Sequence, residues 1–237
     1  MSPNNILRLV LAVGSSLSFA GCCSTKLSAT FTNDALDQPP PAALGANRIE
    51  YADGTDTVRV VEATGGKAVR HQCPSEVQDG YLRFVSTPGL SKEEISAEWD
   101  AQFPELGDQT TLQVRLKDLL GDIGRTGAEV NISGAGENRV TVRAGAREET
   151  VTLTPGVPVH LEFAYNQRTK SYTFAMEHAG GRILINAGAA PDAETVDFAN
   201  GAKLEFWFER GCADGAAHLV DNVTIRECTK VRLGGGG

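Results

Sequence analysis

Apolar and polar residues alternate along most of the chain with a period of two, which is typical of strands that bury one face. The clearest example is 203–210, where Leu204, Phe206 and Phe208 are separated by polar or amphipathic neighbours. After a turn rich in glycine, the same alternation returns over 218–227. We therefore expect two strands here, and the short connection between them predicts that they pair as a hairpin.

About a dozen short segments from residue 27 onward show this period and are separated by turn residues. One segment, 91–103, fits two periods. Ile95 and Trp99 recur every fourth residue as in a helix, but they also belong to an alternating run. We favour a strand because the neighbouring segments are strands. Many short strands with little helical periodicity predict an all-β fold, an antiparallel β-sandwich.

The first twenty-one residues have the layout of a cleaved leader. Arg8 carries the only side-chain charge, the apolar run 9–13 is too short to span a bilayer, and small residues precede Cys22. The stretch 17–22 resembles the lipobox of bacterial lipoproteins, although Phe19 departs from the aliphatic residue usual at its position. An ordinary secretory leader or a buried first helix is the alternative.

The lipobox resemblance implies that Cys22 is the acylated first residue of the mature chain and that membrane is a partner through this lipid. It also implies the bacterial cell envelope as the location. Cys23 stands where an aspartate would favour retention in the inner membrane, so the outer membrane is the expected destination. The resulting division is a signal peptide at 1–21, a lipid anchor and short tether at 22–26, a single sandwich domain at 27–232 and a flexible glycine-rich tail at 233–237.

The charge balance excludes one class of partner. The chain has 22 Lys and Arg against 30 Asp and Glu, a net charge of -8. Loss of the leader would remove only Arg8, which would make the balance more acidic by one charge. Nucleic-acid binding needs a positive footprint for phosphates. We therefore expect neither nucleic acid nor another anionic polymer as a partner.

Four cysteines remain if Cys22 is acylated, and an exported chain meets an oxidising compartment. Cys212 lies at the turn of the expected hairpin and Cys228 at its far end, so extended strands would separate them by about 30 Å. A disulfide cannot span that distance. Successive chain reversals place Cys73 at the same end as Cys212, and we predict that these two pair; free buried thiols are the alternative.

A second resemblance concerns the fold. Residues 204–208 and 220–225 look like the closing strands of concanavalin-like jelly-roll domains, which are common in bacterial surface lectins and polysaccharide enzymes. This resemblance covers about the last third of the chain. It implies a concanavalin-like jelly roll and a habit of binding glycans.

The spacing of Glu98 and Asp100 is similar to that of the nucleophile and helper aspartate in retaining glucanases of this fold, which lie on one face of one strand. Gln102 stands where the acid/base carboxylate belongs, and an amide cannot donate that proton. The resemblance therefore implies a degenerate or binding-only cleft. The alternative is a solvated strand face.

Trp207 is expected on a polar strand face with Glu205 and Glu209. An indole offers a flat apolar surface with a hydrogen-bond donor, which suits stacking on a sugar ring. The neighbouring carboxylates would accept hydrogen bonds from sugar hydroxyls. Alternatively, Trp207 packs under a covering loop.

Metal and cofactor signals are weak. If the first and last strands pair, Asp221 and Asn222 come close to Asn33 and Asp34, and these side chains, above all Asp34 and Asp221, would contribute oxygen ligands to a structural calcium ion. Capping of backbone donors in turns is the alternative. The four histidines are scattered, and motifs for zinc, for a serine nucleophile and for phosphate binding are missing, so we expect no other cofactor.

Three hypotheses for function follow. The first is a lipid-anchored lipoprotein whose non-catalytic sandwich serves a binding or structural role in the envelope. The second is a glycan-binding, lectin-like module. The third is a glycoside hydrolase-like enzyme that acts on polysaccharide through Glu98 and Asp100. No enzyme activity is expected under the first two.

Overall fold

The structure is a computed structural model, and it describes residues 22–52, 57–74, 80–107, 110–121, 123–208, 212–213 and 215–229. The leader at 1–21, the tail at 233–237 and Glu209 lie outside these residues. Sixteen strands and one 3₁₀ turn, Phe198–Asn200, make up the regular structure of the described part. None of the helical structure in these ranges has the length and apolar composition needed to cross a bilayer.

The strands form two antiparallel sheets of eight strands each, as the alternating pattern predicted. Sheet I has the order β14, β13, β12, β7, β16, β5, β4, and β1 pairs with β16 beside β5. Its strands are β1 (Cys22–Ala29), β4 (Val58–Ala63), β5 (Gly66–Gln72), β7 (Glu94–Glu105), β12 (Val159–Asn166), β13 (Ser171–His178), β14 (Gly181–Ala189) and β16 (Ala217–Thr229).

Sheet II has the order β11, β10, β9, β8, β15, β6, β3, β2. Its strands are β2 (Ala43–Leu44), β3 (Asn47–Tyr51), β6 (Gly80–Ser86), β8 (Thr111–Asp118), β9 (Thr126–Gly134), β10 (Arg139–Ala144), β11 (Arg147–Thr152) and β15 (Ala202–Phe208). The segment 91–103, whose periodicity was ambiguous, lies largely in β7 of sheet I, which confirms the strand interpretation.

Aromatic side chains from both sheets meet in the core. Trp99 of sheet I contacts Phe206 of sheet II edge to face, with ring centroids 5.7 Å apart, and Phe163 lies 5.4 Å from the same indole. Leu161, Phe163, Phe206 and Phe208 are all fully buried. The alternating apolar positions therefore form the inner walls of the sandwich, where edge-to-face aromatic pairs add to the stabilisation from buried area.

The strand β16 occupies the middle of sheet I and changes its partner along its length. On one side it pairs with β7 throughout. On the other side it pairs with β5 from Ala217 to Val220 and with β1 from Val223 to Thr229. Between these two partners the register shifts at a β-bulge that contains Asn222, whose φ is +51°. Asparagine is one of the few non-glycine residues that adopt this left-handed conformation readily.

The hairpin predicted for the C-terminal segments is wrong. The strands β15 and β16 exist where the alternation indicated, but they belong to different sheets. Both strands carry an apolar face, and these faces pack against each other across the core: Phe206 of β15 stacks on His218 of β16 with centroids 5.3 Å apart. Face-to-face packing buries more apolar surface than edge-to-edge pairing would.

The expected tether at 22–26 is also incorrect, because these residues form the first part of β1. Cys22 is in register with Thr229, and Cys23 with Cys228. Pairing between the first and last strands was anticipated from the sequence, but its extension to residue 22 was not. Polar residues on a strand at a sheet edge give little hydrophobic signal, so the alternation became visible only at Leu27.

Two disulfides join distant parts of the chain. Cys73 and Cys212 are bonded, as predicted, with Cα atoms 6.1 Å apart. Cys23 and Cys228 are bonded with Cα atoms 4.1 Å apart, a pairing that the sequence did not indicate. This second disulfide follows directly from the register of β1 on β16. It links residues 205 positions apart and so closes almost the whole described chain into one loop.

A histidine pair lies buried between the sheets. His71 of β5 and His218 of β16 are cross-strand neighbours, and His71 Nδ1 lies 3.0 Å from His218 Nε2. Both side chains are fully buried against Phe206 and Phe208. Burial lowers the pKa of His71 to about 3 and holds that of His218 well below its usual range. The neutral pair is therefore part of the folded core.

These histidines stay neutral in the folded protein but bind protons when the protein unfolds at low pH. The stability that they contribute should therefore be fully present above pH 6.5. It should fall as the pH drops toward 3, by up to about 1.4 kcal/mol per pH unit for each histidine. Urea unfolding at pH 7 and pH 5 measures this loss. We expect the double variant His71→Leu/His218→Leu to reduce the difference between the two pH values, while the control His178→Gln keeps it. Equal pH dependence in the parent and the double variant would refute this assignment.

Candidate functional site

The strongest candidate site is a cleft on the outer face of sheet I, beside the bulge in β16. It has a volume of about 180 Å³. We call it the bulge cleft and define it by its polar residues Lys67, Asp100, Gln102, Asp221 and Asn222. The remaining wall includes the turn between β4 and β5, together with Pro158 and Leu219. The cleft exists because β16 leaves β5 at this point and has not yet met β1, so the sheet surface is open.

The bulge places two consecutive side chains in one cleft. In a regular strand Asp221 and Asn222 would point to opposite faces. The extra residue of a bulge breaks this alternation and re-aims side chains, and bulges are frequent next to functional sites. Both residues line the cleft here. Asp221 also faces Asp100 across the β7–β16 ladder, so two carboxylates and an amide converge.

Asp100 is held by two neighbours. Its Oδ2 accepts a hydrogen bond from Asn222 Nδ2 at 2.7 Å, and its Oδ1 lies 2.8 Å from His160 Nδ1. The hydrogen bond with His160 lowers the pKa of Asp100 and raises that of His160. Asp100 is therefore an ionised, fixed acceptor at neutral pH.

Asp221 is different, because one oxygen of its carboxylate is unused. Asp221 Oδ1 is buried and has no hydrogen-bond partner among the described residues. The pKa of this carboxyl is raised, because the effect of burial exceeds that of the hydrogen bonds from the backbone N–H groups of Asn222 and Phe31, which lower it. A buried acceptor without a donor is costly, so a hydroxyl or amine of a ligand that reached Asp221 would relieve that cost.

Glu98 lies on the same face as Asp100, as the sequence predicted, but outside the cleft lining. Its Oε1 accepts a hydrogen bond from Arg226 at 2.9 Å. Glu162 of β12 stands directly opposite Glu98. Burial, and next the charge of Glu98, raise the pKa of Glu162. Arg182 lies 3.7 Å from Glu162, so both carboxylates have a cationic neighbour.

Trp207 lies on the other side of the molecule. It points outward from sheet II, whereas Glu98 and Asp100 point outward from sheet I, so these candidates do not share one surface. The guanidinium of Arg115 stacks over the indole at 4.5 Å, and the indole Nε1 is buried without a partner in the described residues. The arginine side chain therefore covers one face of the ring, where a sugar would otherwise stack.

Glu205 belongs to a row of alternating charge that crosses sheet II. The cross-strand neighbours in this row are, in order, Glu50, Arg83, Glu205, Arg115 and Glu129. Glu205 is only 2% exposed, and its oxygens contact Arg83 at 2.5 Å and Lys117 at 3.3 Å. Burial alone would raise the pKa of Glu205, but the nearby charges of Lys117 and Arg83 lower it overall. This geometry gives Glu205 a structural role and leaves it little access to a ligand.

The candidate calcium ligands are only partly brought together. The hydrogen bond between the Phe31 backbone and Asp221 places Asp221 near the chain segment that leads to Asp34. Asp34 presents its carbonyl oxygen to Lys67 Nζ at 2.7 Å. No group of three or more His, Cys, Asp or Glu side chains in the described ranges is arranged to hold a metal. The calcium site stays a prediction.

Sequence reasoning named Asp221 and Asn222 only as calcium ligands, and it missed the hydrogen bond from Asn222 to Asp100 and the position of Asp221 in the cleft. A signal was present. In β16 the aliphatic residues Val220, Val223 and Ile225 are fully buried, and the spacing of three between the first two breaks the period of two. Such a break predicts a bulge. The position of His160 opposite Asp100 depends on strand register, which alternation alone does not fix.

Comparison with solved structures places the fold among concanavalin-like jelly-roll sandwiches. Lectin II from Ulex europaeus superposes with a TM-score of 0.51 and 12% identity, covering 86% of this chain and 100% of the lectin. The catalytic domain of a glycoside hydrolase family 131 protein from Coprinopsis cinerea gives a TM-score of 0.56 and 12% identity, covering 90% and 99%. A carbohydrate esterase of the Shiga toxin-encoding bacteriophage phi24B gives 0.55 and 14%, covering 87% and 99%.

No protein-family model matches the sequence, and no curated protein matches it. At identities this low the structural likeness establishes the fold alone. Proteins named as lectins and proteins named as enzymes share it, so the activity of this chain has to be inferred from its own residues.

Replacement of Glu205 by alanine tests the structural role of the charged row on sheet II. The change leaves Arg83, Arg115 and Lys117 without their shared counter-charge in a poorly solvated position. We expect the free energy of unfolding to fall by about 3–5 kcal/mol. The exposed Glu194→Ala change is the matched control and should shift it by less than about 0.5 kcal/mol. Equal effects of the two changes in urea unfolding would contradict the role given to Glu205.

Proposed function

We propose that this protein is a lipid-anchored, non-catalytic module of the bacterial envelope that binds neutral, hydroxyl-rich glycans in the bulge cleft. One observation carries the proposal: Asp221 lines a cleft together with Asn222 and Asp100, and its buried Oδ1 has no donor among the described residues. Lectins among the structural neighbours support a glycan as the ligand.

The composition of the cleft fits hydroxyl groups. Carboxylates accept hydrogen bonds, Lys67 donates them, and the amides of Gln102 and Asn222 can do both. A sugar presents several adjacent hydroxyls that each donate and accept, so one ring can engage several of these groups. Pro158 and Leu219 give the cleft an apolar wall, which suits the C–H face of a sugar ring. The acidic balance of the whole chain disfavours anionic glycans.

Binding without catalysis is supported by the arrangement around Glu98 and Asp100. A retaining glucanase would need an acid/base carboxyl at residue 102. Gln102 stands there instead, and its side-chain amide donates a hydrogen bond to Thr64 O at 3.2 Å. Asp100 is fixed between His160 and Asn222, and Glu98 is bound to Arg226. None of these three positions combines a free proton with access to the cleft.

Anchoring through Cys22 completes the proposal. The leader-like composition of 1–21 and the lipobox-like residues before Cys22 support acylation at this position. Cys23 forms a disulfide with Cys228, so its thiol is not available for acylation, and Cys22 is the residue that would carry the lipid. An outer-membrane location is proposed from Cys23, since no aspartate follows the acylated residue.

Asp221→Asn tests the cleft with almost no change in size. It removes the negative charge that the ligand would meet, and a hydrogen bond to a charged group is worth about 1.5–3 kcal/mol, so affinity should fall about 10- to 100-fold. A printed array of neutral oligosaccharides identifies the probe, and calorimetric titration with the tightest one measures the loss. Reducing-end release is followed in the same incubations and should stay at background.

Two controls separate the cleft from the opposite face. Glu194→Gln changes an exposed carboxylate far from the cleft, and Trp207→Phe alters the indole of sheet II; both should leave affinity within about twofold. A loss of binding in Trp207→Phe with none in Asp221→Asn would move the site to sheet II. Reducing ends that appear with the parent but not with Glu98→Gln would overturn the non-catalytic part.

Cys22→Ala tests the anchor. Without the thiol no acyl chain can be attached, so the protein should move from the membrane fraction to the soluble fraction when produced in a bacterium. Mass spectrometry of the mature parent chain should show an N-terminal cysteine carrying lipid. Cys22→Ala that sediments with membrane as the parent does would refute anchoring.

A further inference from the structure

We infer that the end of the sandwich next to Cys22 docks directly on the bilayer, through the exposed aliphatic side chains of Leu120 and Ile123. The inference rests on the anchor in the proposed function, and it adds an interaction surface and a fixed orientation. Its partner is the lipid surface itself.

No tether separates Cys22 from the folded sandwich. The strand β1 begins at Cys22, and its second residue is bonded to Cys228 of the central strand. A lipid on Cys22 would therefore leave the sandwich with no flexible residues between the acyl chain and the folded domain. The end of the sheet at Cys22 has to lie at the membrane surface, because nothing can hold it further away.

The turn between β8 and β9 lies at the same end of the sandwich as Cys22. Glu227, next to Cys228, accepts backbone hydrogen bonds from Ser91 and Lys92. The adjoining Leu90 N–H donates to Phe198 O. One residue earlier, the Asp197 N–H donates to Asp118.

Asp118 in turn organises the exposed turn. Its Oδ1 accepts hydrogen bonds from the backbone N–H groups of Leu120 and Arg125. The turn that carries Leu120 and Ile123 is therefore fixed to the last residue of β8. A continuous set of hydrogen bonds therefore links the strand that carries the disulfide to this turn. The register agrees, since Asp118 pairs with Ala202, and Ala202 pairs with Ser86 just before the chain crosses to β7.

The aliphatic side chains of this turn are exposed. Ile123 is 76% exposed and Leu120 47% exposed, whereas most large aliphatic side chains of the described residues are buried. Two exposed aliphatics in one turn, at the end where the chain would enter the bilayer, fit the boundary between headgroups and acyl chains. Charges of both signs border the same end and are paired with each other, as Arg125 is with Asp118 and Arg168 with Glu93, so the contact is assigned to the aliphatic side chains. Neutral phosphatidylcholine should therefore be sufficient.

Docking in this way would also orient the bulge cleft. Asp221 lies seven residues before Cys228 along β16, which places the cleft about 20 Å from the membrane-facing end at the usual strand rise. The cleft would then open sideways, parallel to the bilayer, with its mouth clear of the headgroups. A glycan could reach it from the space next to the membrane.

The test uses the full lipidated chain reconstituted in phosphatidylcholine vesicles, with tryptophan as a depth probe. Ile123→Trp places an indole in the proposed contact, and Leu184→Trp places one at another aliphatic that is 65% exposed but lies on β14, on the face of sheet I. We expect brominated phosphatidylcholine to quench the added fluorescence of Ile123→Trp at least twofold more than that of Leu184→Trp. The parent chain supplies the signal of the two native tryptophans for subtraction.

The outcomes separate the docking from the anchor. If mass spectrometry shows lipid on Cys22 and both probes are quenched equally little, docking is wrong while the anchor stands. If no lipid is attached, anchor and docking both fail. If the Ile123→Trp emission shifts to shorter wavelength with protein concentration in detergent and is not quenched by brominated lipid, this end contacts a second copy of the chain, which also contradicts docking.

Discussion

The structure depends on the position of β16 in the middle of sheet I. This last strand pairs with β7 along its whole length, with β5 along its first part and with β1 along its second part. These pairings bring the first and last described residues together, and the disulfide between Cys23 and Cys228 fixes them. Since the contacts join residues about two hundred positions apart, the fold cannot form from local segments alone, and closure of β16 is expected to be late and cooperative.

The candidate site is a consequence of the same arrangement. A strand that exchanges one neighbour for another must pass through a point where one side is unpaired, and here the bulge at Asn222 occupies that point. The outer face of sheet II has no such interruption at β15, and its charges are satisfied by one another, from Glu50 to Glu129. The two outer faces therefore differ physically. One carries the ion pairs of Glu205 and an arginine stacked on Trp207, and the other has a cleft lined by Asp221, one of whose carboxylate oxygens has no partner among the described residues.

Much of the fold followed from the alternation of apolar residues, because a buried strand face requires it; Leu161, Phe163, Phe206 and Phe208 behave as predicted. The pairing of strands did not follow, since alternation identifies the buried face of a strand but not its neighbour. That is why β15 and β16 were expected to form a hairpin and why Cys228 had no predicted partner. The prediction that Glu98 and Asp100 share one face was correct. Prediction of the cleft would also have required the position of His160 and an explanation of the break in spacing between Val220 and Val223, and both depend on the strand register.

The proposed function depends on the binding of a glycan at the point where β16 changes partners. A nitrogen-15 NMR titration of the chain with the tightest neutral oligosaccharide tests it most directly. The side-chain amide of Asn222 and the backbone amides of Asp221 and Lys67 should show the largest shift changes, while the indole N–H of Trp207 stays in place. Shift changes concentrated at Trp207 and its neighbours on sheet II, with the bulge unaffected, would contradict it.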